Sequence, residues 1–390
     1  MTDRAEPRPR ILIYSHSSQL AGAERALLAL VRGLAADEFE VLVTVPRKGP
    51  LVELLENAGA QVRRCPAPPW MGRRMEWPVF LARLLLGVAA IPRLAWVTYR
   101  FRPSVAYTNS LVTPEGPLAA RLLRVPHVWH RRELAEGNEM LSTKLPLSFV
   151  FGCVARWADH ILAVSDSVAA QVPEESASRV RVVHVGVDLN ASPNPAPPPH
   201  AWLRDGRPAL AVVGQQTVAK GALVAVEVAR LVREQLPGLR LLLVGWGSRE
   251  LRARLHAAIA AADLADAVRV EDFAADVRGV YAAADICLVL SRQEAYGLVT
   301  VEALASGVPV VGSNTGGTKD LLDDGVGLMS DPDDAQGFAA NVCAIAKDPD
   351  LATLLSARGV SRASSLDVFA EAHALAGITR RVSSQNARRR

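Results

Sequence analysis

Short runs of Val, Ile, Leu and Ala alternate with longer helical stretches along this 390-residue chain, and the alternation breaks once, at a proline-dense segment. The first series of strand candidates is Ile11–Tyr14, Val41–Val45, Gln61–Arg64, Val105–Thr108, His127–His130, Ile161–Val164 and Val180–His184. Helical stretches lie between them at Ala23–Ala35, Leu51–Ala58, Trp77–Tyr99, Pro114–Leu123 (with Thr113 as its N-cap) and Leu145–Ala158. Asn190 to His200 then reads N-A-S-P-N-P-A-P-P-P-H, which can form neither a helix nor a central strand. Beyond it the alternation restarts at Ala209–Val213, Arg240–Val244, Val268–Glu271, Ile286–Leu290 and Val308–Gly312. Strand–helix alternation specifies a parallel sheet with crossover helices on its faces. The expected fold class is therefore α/β, with two Rossmann-like, doubly wound domains facing across a cleft. The expected partition is a first domain over 1–190, a linker over 191–200, a second domain over 201–365, and a C-terminal helix with a frayed basic tail over 366–390.

Half of the residues are hydrophobic and 22% charged, the composition of a globular protein large enough for two cores. The four cysteines are scattered, with no C-x-x-C pair, which fits a reducing cytosol and argues against a zinc site. Val79 to Val97 comes nearest to a membrane-spanning run, but Arg83, Pro92 and Arg93 interrupt it, so no transmembrane helix is expected. From Arg63 to Arg102 eight arginines (63, 64, 73, 74, 83, 93, 100 and 102) face a single acid, Glu76, and Trp70, Trp77 and Trp96 are interleaved. One reading is a solvated helix face; the other is a surface that meets anionic lipid or a phosphorylated acceptor. No feature of the chain calls for nucleic acid.

In open α/β sheets ligands collect outside the carboxyl ends of the strands, and the chemistry-bearing motifs fall there. The most informative is S-R-Q-E-A-Y-G-L-V-T-V-E-A-L-A-S-G-V-P-V-V-G-S-N-T-G-G-T, Ser291 to Thr318. A strand ends, a turn carries Glu294 and Gly297, and a helix starts near Leu298. Gly297 lets the backbone approach a ligand, and the amides of Leu298 and Val299 head the helix as free donors suited to a diphosphate. Glu302, eight residues after Glu294, can accept two hydrogen bonds from a ribose diol, while Glu294 can hold sugar hydroxyls near the phosphates. A pair of glutamates at that spacing is by itself common surface charge.

In this setting E-x7-E (Glu294, Glu302), A-x-G-x-P-V-V (Ala305 to Val311) and Gly316-Gly317 resemble the family-4 retaining glycosyltransferases of the GT-B fold. The resemblance implies that Glu294 contacts the donor sugar and Glu302 the ribose. Val213-Gly214-Gln215 followed by Lys220-Gly221 resembles the family's strand-end Gly and Lys-Gly, with Lys220 neutralising the donor diphosphate. Gln215 stands where the family commonly has Arg, so this chain brings one cation fewer. Leu20-Ala21-Gly22-Ala23-Glu24-Arg25 resembles the G-G-A-E-R loop, with Ala21 in place of one Gly and Gly22 facing the ligand side. His130 ends the fifth strand, where the family places a histidine near the donor sugar, and Val185-Gly186-Val187-Asp188 resembles its interdomain N-G-V-D.

The resemblance implies retention of anomeric configuration with a nucleotide diphosphate sugar as donor substrate and no other cofactor. The implied acceptor is a glycan or lipid-linked molecule in cell-envelope polysaccharide or glycolipid synthesis, and the implied location cytoplasmic, at the inner face of the membrane. Catalytic roles fall to His130, Glu294 and Lys220. Donor-binding roles fall to Gly22, Gly214, Gln215, Lys220, Gly297, Leu298, Val299 and Glu302. Two D-P-D triplets, Asp331–Asp333 and Asp348–Asp350, lie where Asp is a routine helix cap, so no metal site is expected. Gly245-Trp246-Gly247 is too short for a dinucleotide fingerprint. Two other readings stay open: a sugar-nucleotide 2-epimerase of the same fold, and a catalytically silent partner of another glycosyltransferase.

Overall fold

The structure, a computed structural model, describes residues 8–388 apart from 21, 73–74, 137, 139–140, 190–194 and 273–275. It divides into two compact units, 1–185 with 368–390, and 186–367. The first is built on strands β1 (Arg10–Tyr14), β2 (Glu40–Val45), β3 (Gln61–Arg64), β4 (Val105–Thr108), β5 (His127–Arg131), β6 (His160–Ala163) and β7 (Val180–Val182), hydrogen-bonded in the order 3-2-1-4-5-6-7. The second holds β8 (Ala209–Val213), β9 (Arg240–Val244), β10 (Val268–Glu271), β11 (Ile286–Val289), β12 (Val310–Ser313) and β13 (Leu328–Ser330), in the order 10-9-8-11-12-13. All of these pairings are parallel. Strands covered on both faces read as unbroken apolar runs, as Ile11–Ile13 and Leu241–Val244 do, each at most 2% exposed.

Both sheets reverse strand order once, between β1 and β4 and between β8 and β11. Those reversals open a crevice at the strands' carboxyl ends, where the connecting helices diverge to opposite faces. β13, which pairs with Val311–Ser313, carries no periodic signal, because three half-buried residues are too few to show one.

Several boundaries differ from the sequence expectation. The chain passes between units after Val185 and after Asp367, and Gly186 N–H donates to Asp367 O at 3.1 Å. The described part of the proline segment belongs to the second unit and is packed rather than free. His200 N–H donates to Gly279 O at 2.9 Å, and Arg278 reaches the carbonyls of Leu189 and Pro195. The C-terminal helix is longer than expected, Ala370–Arg388, and folds with the first unit. Its Ala372, Leu375, Ala376 and Ile378 join the core of β1, β2 and the Gly22–Ala36 helix, and Gly33 leaves room for Ala372. Thr113 does not cap the following helix: this begins at Glu115 with Pro114 before it, and the Thr113 hydroxyl is buried without a partner. Ser248 and Asp348 do cap theirs, accepting from Leu251 N and from the amides of Asp350 and Leu351. Asp333 pairs with Arg292 instead.

The stretch expected to be helical over Trp77–Tyr99 is the helix Trp77–Phe101, and although Arg83, Pro92 and Arg93 were expected to interrupt its apolar run, by length and composition alone it could cross a membrane. Pro92 lies inside this helix on its exposed face, where its ring meets no packed neighbour and the carbonyl it leaves without a helical donor is not sealed in the core. Of the three tryptophans, Trp70 is core: it is 4% exposed and its indole N–H donates to Leu111 O at 3.0 Å. Trp77 and Trp96 are 55% exposed. Arg73 and Arg74 lie outside the described residues.

Glu115 is 3% exposed beneath that helix, and a side-chain carbon on Gly87 would sit 2.5 Å from its Oε1. Burial pushes its carboxyl up from 4.5 to about 7. The folded chain thus holds a proton that the unfolded chain releases above about pH 4.5, so stability falls as pH rises through 4.5 to 7. The Glu115→Gln variant is expected to lose that slope and to be more stable by about 3 kcal/mol at pH 8, read from denaturant melts at pH 5 and pH 8.

Candidate functional site

In the second unit the sequence-predicted residues converge on the switch point between β8 and β11. Gly214 and Gln215 follow β8 directly; Gln215 is exposed, whereas the adjacent Gln216 is buried and donates to Leu243 O and Glu271 O. The turn after β8 brings Lys220 back beside β11, where Arg292 N–H donates to Ala219 O at 2.8 Å. There Lys220 Nζ meets Glu294 Oε2 at 2.5 Å, and Ser291 Oγ donates to the same oxygen at 3.2 Å. Lys220 is 37% exposed in its side chain and Glu294 18%, so both can still reach a ligand.

The turn that carries Glu294 is shaped from two sides. Gly297 takes a φ of +95° and starts the helix Leu298–Ala305, a backbone conformation that side chains oppose. From below, Gly317 N–H donates to Glu294 O at 2.7 Å, and any side chain on Gly316 or Gly317 would strike the backbone of Glu294 or Tyr296 within 2.4 Å. The Gly316-Gly317 pair is thus a floor that lets the β12 connection press against the glutamate's backbone. The amides of Leu298 and Val299 head the helix, where no preceding turn supplies acceptors, next to the Lys220 ammonium. Val299 also lies 3.6 Å from where a side chain on Gly214 would begin.

Glu302 is held by a residue that the sequence did not single out. Tyr281, 1% exposed, donates its hydroxyl to Glu302 Oε2 at 3.1 Å. Tyr281 ends a four-residue helix, and nothing local distinguishes it from an ordinary core tyrosine. The second unit therefore sets a cation and a carboxylate close before the N-terminus of the Leu298–Ala305 helix, with a second carboxylate, Glu302, within that helix. Such a set can receive a diphosphate on Lys220 and the amides, and polyols on the carboxylates.

The first unit places its candidates differently. Gly22 is the exposed first residue of the Gly22–Ala36 helix, and His16 Nε2 stands 3.4 Å from Glu24 one turn in. Ala21 lies outside the described residues. His130, expected beside the donor sugar, is fully buried. Its Nδ1 is 2.5 Å from the Tyr107 hydroxyl and its Nε2 3.9 Å from Glu371 Oε1. Burial, with the neighbouring Arg132 cation, drives its pKa well below the ordinary imidazole range, so it is neutral at pH 7. Around it, Arg132 donates to both oxygens of Glu371 at 2.7 and 2.5 Å and to Asn109 Oδ1 at 2.8 Å. Glu371 lies 239 residues beyond Arg132. A buried glutamate in the C-terminal helix could have raised suspicion, but its partner is invisible to any local pattern.

Two parallel α/β units, each with a single switch point, make up the GT-B architecture of glycosyltransferases. Comparison with known proteins agrees. HepE from Anabaena, solved in complex with UDP, superposes with a TM-score of 0.75 at 21% identity, covering 95% of this chain and 99% of that one. Residues 20–191 match the Glycosyltransferase Family 4 model, and residues 207–348 match Glycosyl transferases group 1. The chain belongs to the family-4 glycosyltransferases. Among curated relatives, D-inositol 3-phosphate glycosyltransferase from Thermobispora bispora is 33% identical over 238 residues, covering 57% of this chain. The match spans about half of that relative's length, 55%. The protein of the same name from Xylanimonas cellulosilytica is 28% identical over 93% of this chain and 97% of its own.

Proposed function

We propose that this protein is a retaining, metal-independent glycosyltransferase that moves a sugar from a UDP- or GDP-sugar to a glycan or lipid-linked acceptor. The observation that carries this reading is the Lys220–Glu294 pair, at 2.5 Å, set at the β8–β11 switch point beside the N-terminus of the Leu298–Ala305 helix. Lys220 and the Leu298 and Val299 amides meet the charge that grows on the leaving diphosphate. Glu294 then exchanges its ammonium partner for sugar hydroxyls, and Glu302 accepts from the ribose. The glycosidic bond to the β-phosphate oxygen breaks as the acceptor oxygen bonds to the same face of the sugar, and the acceptor proton passes to the leaving phosphate. The UDP bound in HepE supports a nucleotide donor of this kind.

The reading extends to cell-envelope polysaccharide or glycolipid synthesis at the cytoplasmic face. There the exposed arginines of the 63–102 segment draw the first unit to anionic membrane.

Thermal-shift screening of UDP- and GDP-sugars selects the donor, and turnover of that donor is then followed in excess EDTA. Unchanged turnover is expected, together with a loss of about 100-fold or more in Lys220→Ala, the scale set by removing one preorganised donor to a developing charge. Loss of turnover in EDTA, restored by Mg²⁺ or Mn²⁺, would refute metal independence.

A further inference from the structure

The Trp77–Phe101 helix presents to solvent a face that water does not favour. Its inward positions, Phe80, Gly87, Ala90, Leu94, Val97 and Phe101, recur at spacings of three, four and seven and are each at most 8% exposed, apart from the side-chain-less Gly87, also buried. A helix packed this way ordinarily turns charged residues outward. Here the outward positions are Trp77, Leu81, Leu85, Leu86, Val88 and Trp96, between 51% and 72% exposed. The helix contains no acid, and between Trp77 and Pro92 its one charged residue is Arg83, which is half-buried. A contiguous apolar face of this size on a folded domain marks a surface with an occupant.

The charges beside it identify the occupant. Arg93 and Arg100 are exposed on the same helix, and Arg63, Arg64 and Arg102 are exposed on the segments that flank it. They are gathered at the apolar plane: the Arg63 guanidinium lies 5.8 Å from the Trp96 ring centroid, and Arg93 donates to Arg64 O at 3.1 Å. At the other end the Lys144 ammonium lies 5.6 Å from the Trp77 ring. An apolar plane with an aromatic and a cation at each end matches the layering of a bilayer interface, acyl chains beneath and anionic headgroups at the rim. A second copy of the chain would bring the same cations and no carboxylate from this helix to meet them.

We propose that the outward face of the Trp77–Phe101 helix inserts, parallel to the membrane plane, into the interfacial layer of an anionic bilayer. This deepens the membrane reading above, and rests on it, by replacing charge attraction alone with apolar insertion. Crossing the bilayer is barred by the inward face: Leu94, Val97 and Phe101 pack with Leu12, Tyr14 and Ala106 of the sheet, and the Tyr14 and Thr98 hydroxyls are 2.8 Å apart. The helix therefore cannot leave the domain that it helps to build.

Co-sedimentation of the full chain with vesicles tests this, using phosphatidylcholine alone and equal parts of phosphatidylcholine and phosphatidylglycerol. Binding to the anionic vesicles is expected to persist in about 0.5 M salt, where surface charge is screened within a few ångströms. The Leu85→Gln/Leu86→Gln variant, altered only at exposed positions, is expected to bind about tenfold more weakly at both salt concentrations with an unchanged circular dichroism spectrum. Complete release by salt, with that variant equal to the parent, overturns insertion and leaves charge attraction standing. No pelleting with either vesicle at low salt overturns both. A concentration-dependent dimer that the leucine variant abolishes, with no vesicle binding, assigns the face to a second copy and overturns the proposal as well.

Discussion

The Glu302→Ala variant is expected to bind the nucleotide-sugar donor about 100-fold more weakly while keeping its fold. A ribose diol gives a carboxylate two hydrogen bonds, and charge-assisted bonds contribute about 1.5–3 kcal/mol each, so losing both costs about 3 kcal/mol or more. The position makes the loss specific: Glu302 lies in the helix that starts at Gly297, and Tyr281 fixes its orientation at 3.1 Å. The Tyr281→Phe variant keeps the carboxylate but releases it, and a smaller loss, about tenfold, is expected. Titration calorimetry with the selected nucleotide reads both, with circular dichroism as the control for folding. Parent-like affinity in Glu302→Ala would remove the ribose role and leave Lys220 with the helix amides as the whole of the nucleotide site.

The largest effect on stability is expected from Glu371→Ala. The Arg132 side chain is 6% exposed and its charge is met by Glu371, itself 3% exposed, through two short hydrogen bonds. Deleting the carboxylate strands a guanidinium in the core, which costs about 3–5 kcal/mol, whereas replacing both partners with apolar residues of similar volume is often neutral. Glu371→Ala is therefore expected to destabilise the first unit by that amount, and Arg132→Met/Glu371→Leu to recover most of it. Because the chain forms two units, denaturant unfolding should be followed with probes in each. A transition that moves in the second unit alone, or not at all, would contradict the assignment of the C-terminal helix to the first.

The contrast between these two residues follows from how far apart in the chain their partners lie. Glu294, Gly297 and Glu302 were legible because a strand end, a turn and a helix start fall within one local stretch, and the backbone geometry of such a stretch is set by its own residues. Lys220, 74 residues before Glu294, was legible only through the family resemblance, and the structure then placed the two in contact. Tyr281 was not legible, since a tyrosine that orients a carboxylate and a tyrosine that fills a core have the same local pattern. His130 was read from its place at a strand end. Position along a strand specifies height in the sheet but not what covers the side chain, and Tyr107, Arg132 and Glu371 cover this one completely.

By itself, the sequence determined the alternation of strand and helix, the division into two parallel α/β units, and the glycine-bearing turn that heads the Leu298–Ala305 helix. Those features arise from periodicity and from the allowed conformations of neighbouring residues. Only the tertiary structure decided that the Ala370–Arg388 helix returns to the first unit, that His130 is enclosed, and that Trp70 is core while Trp77 and Trp96 face outward. Each of these depends on which apolar surface meets which, and that choice is made by the burial of surfaces distant in the chain, on which no local run of residues carries a mark.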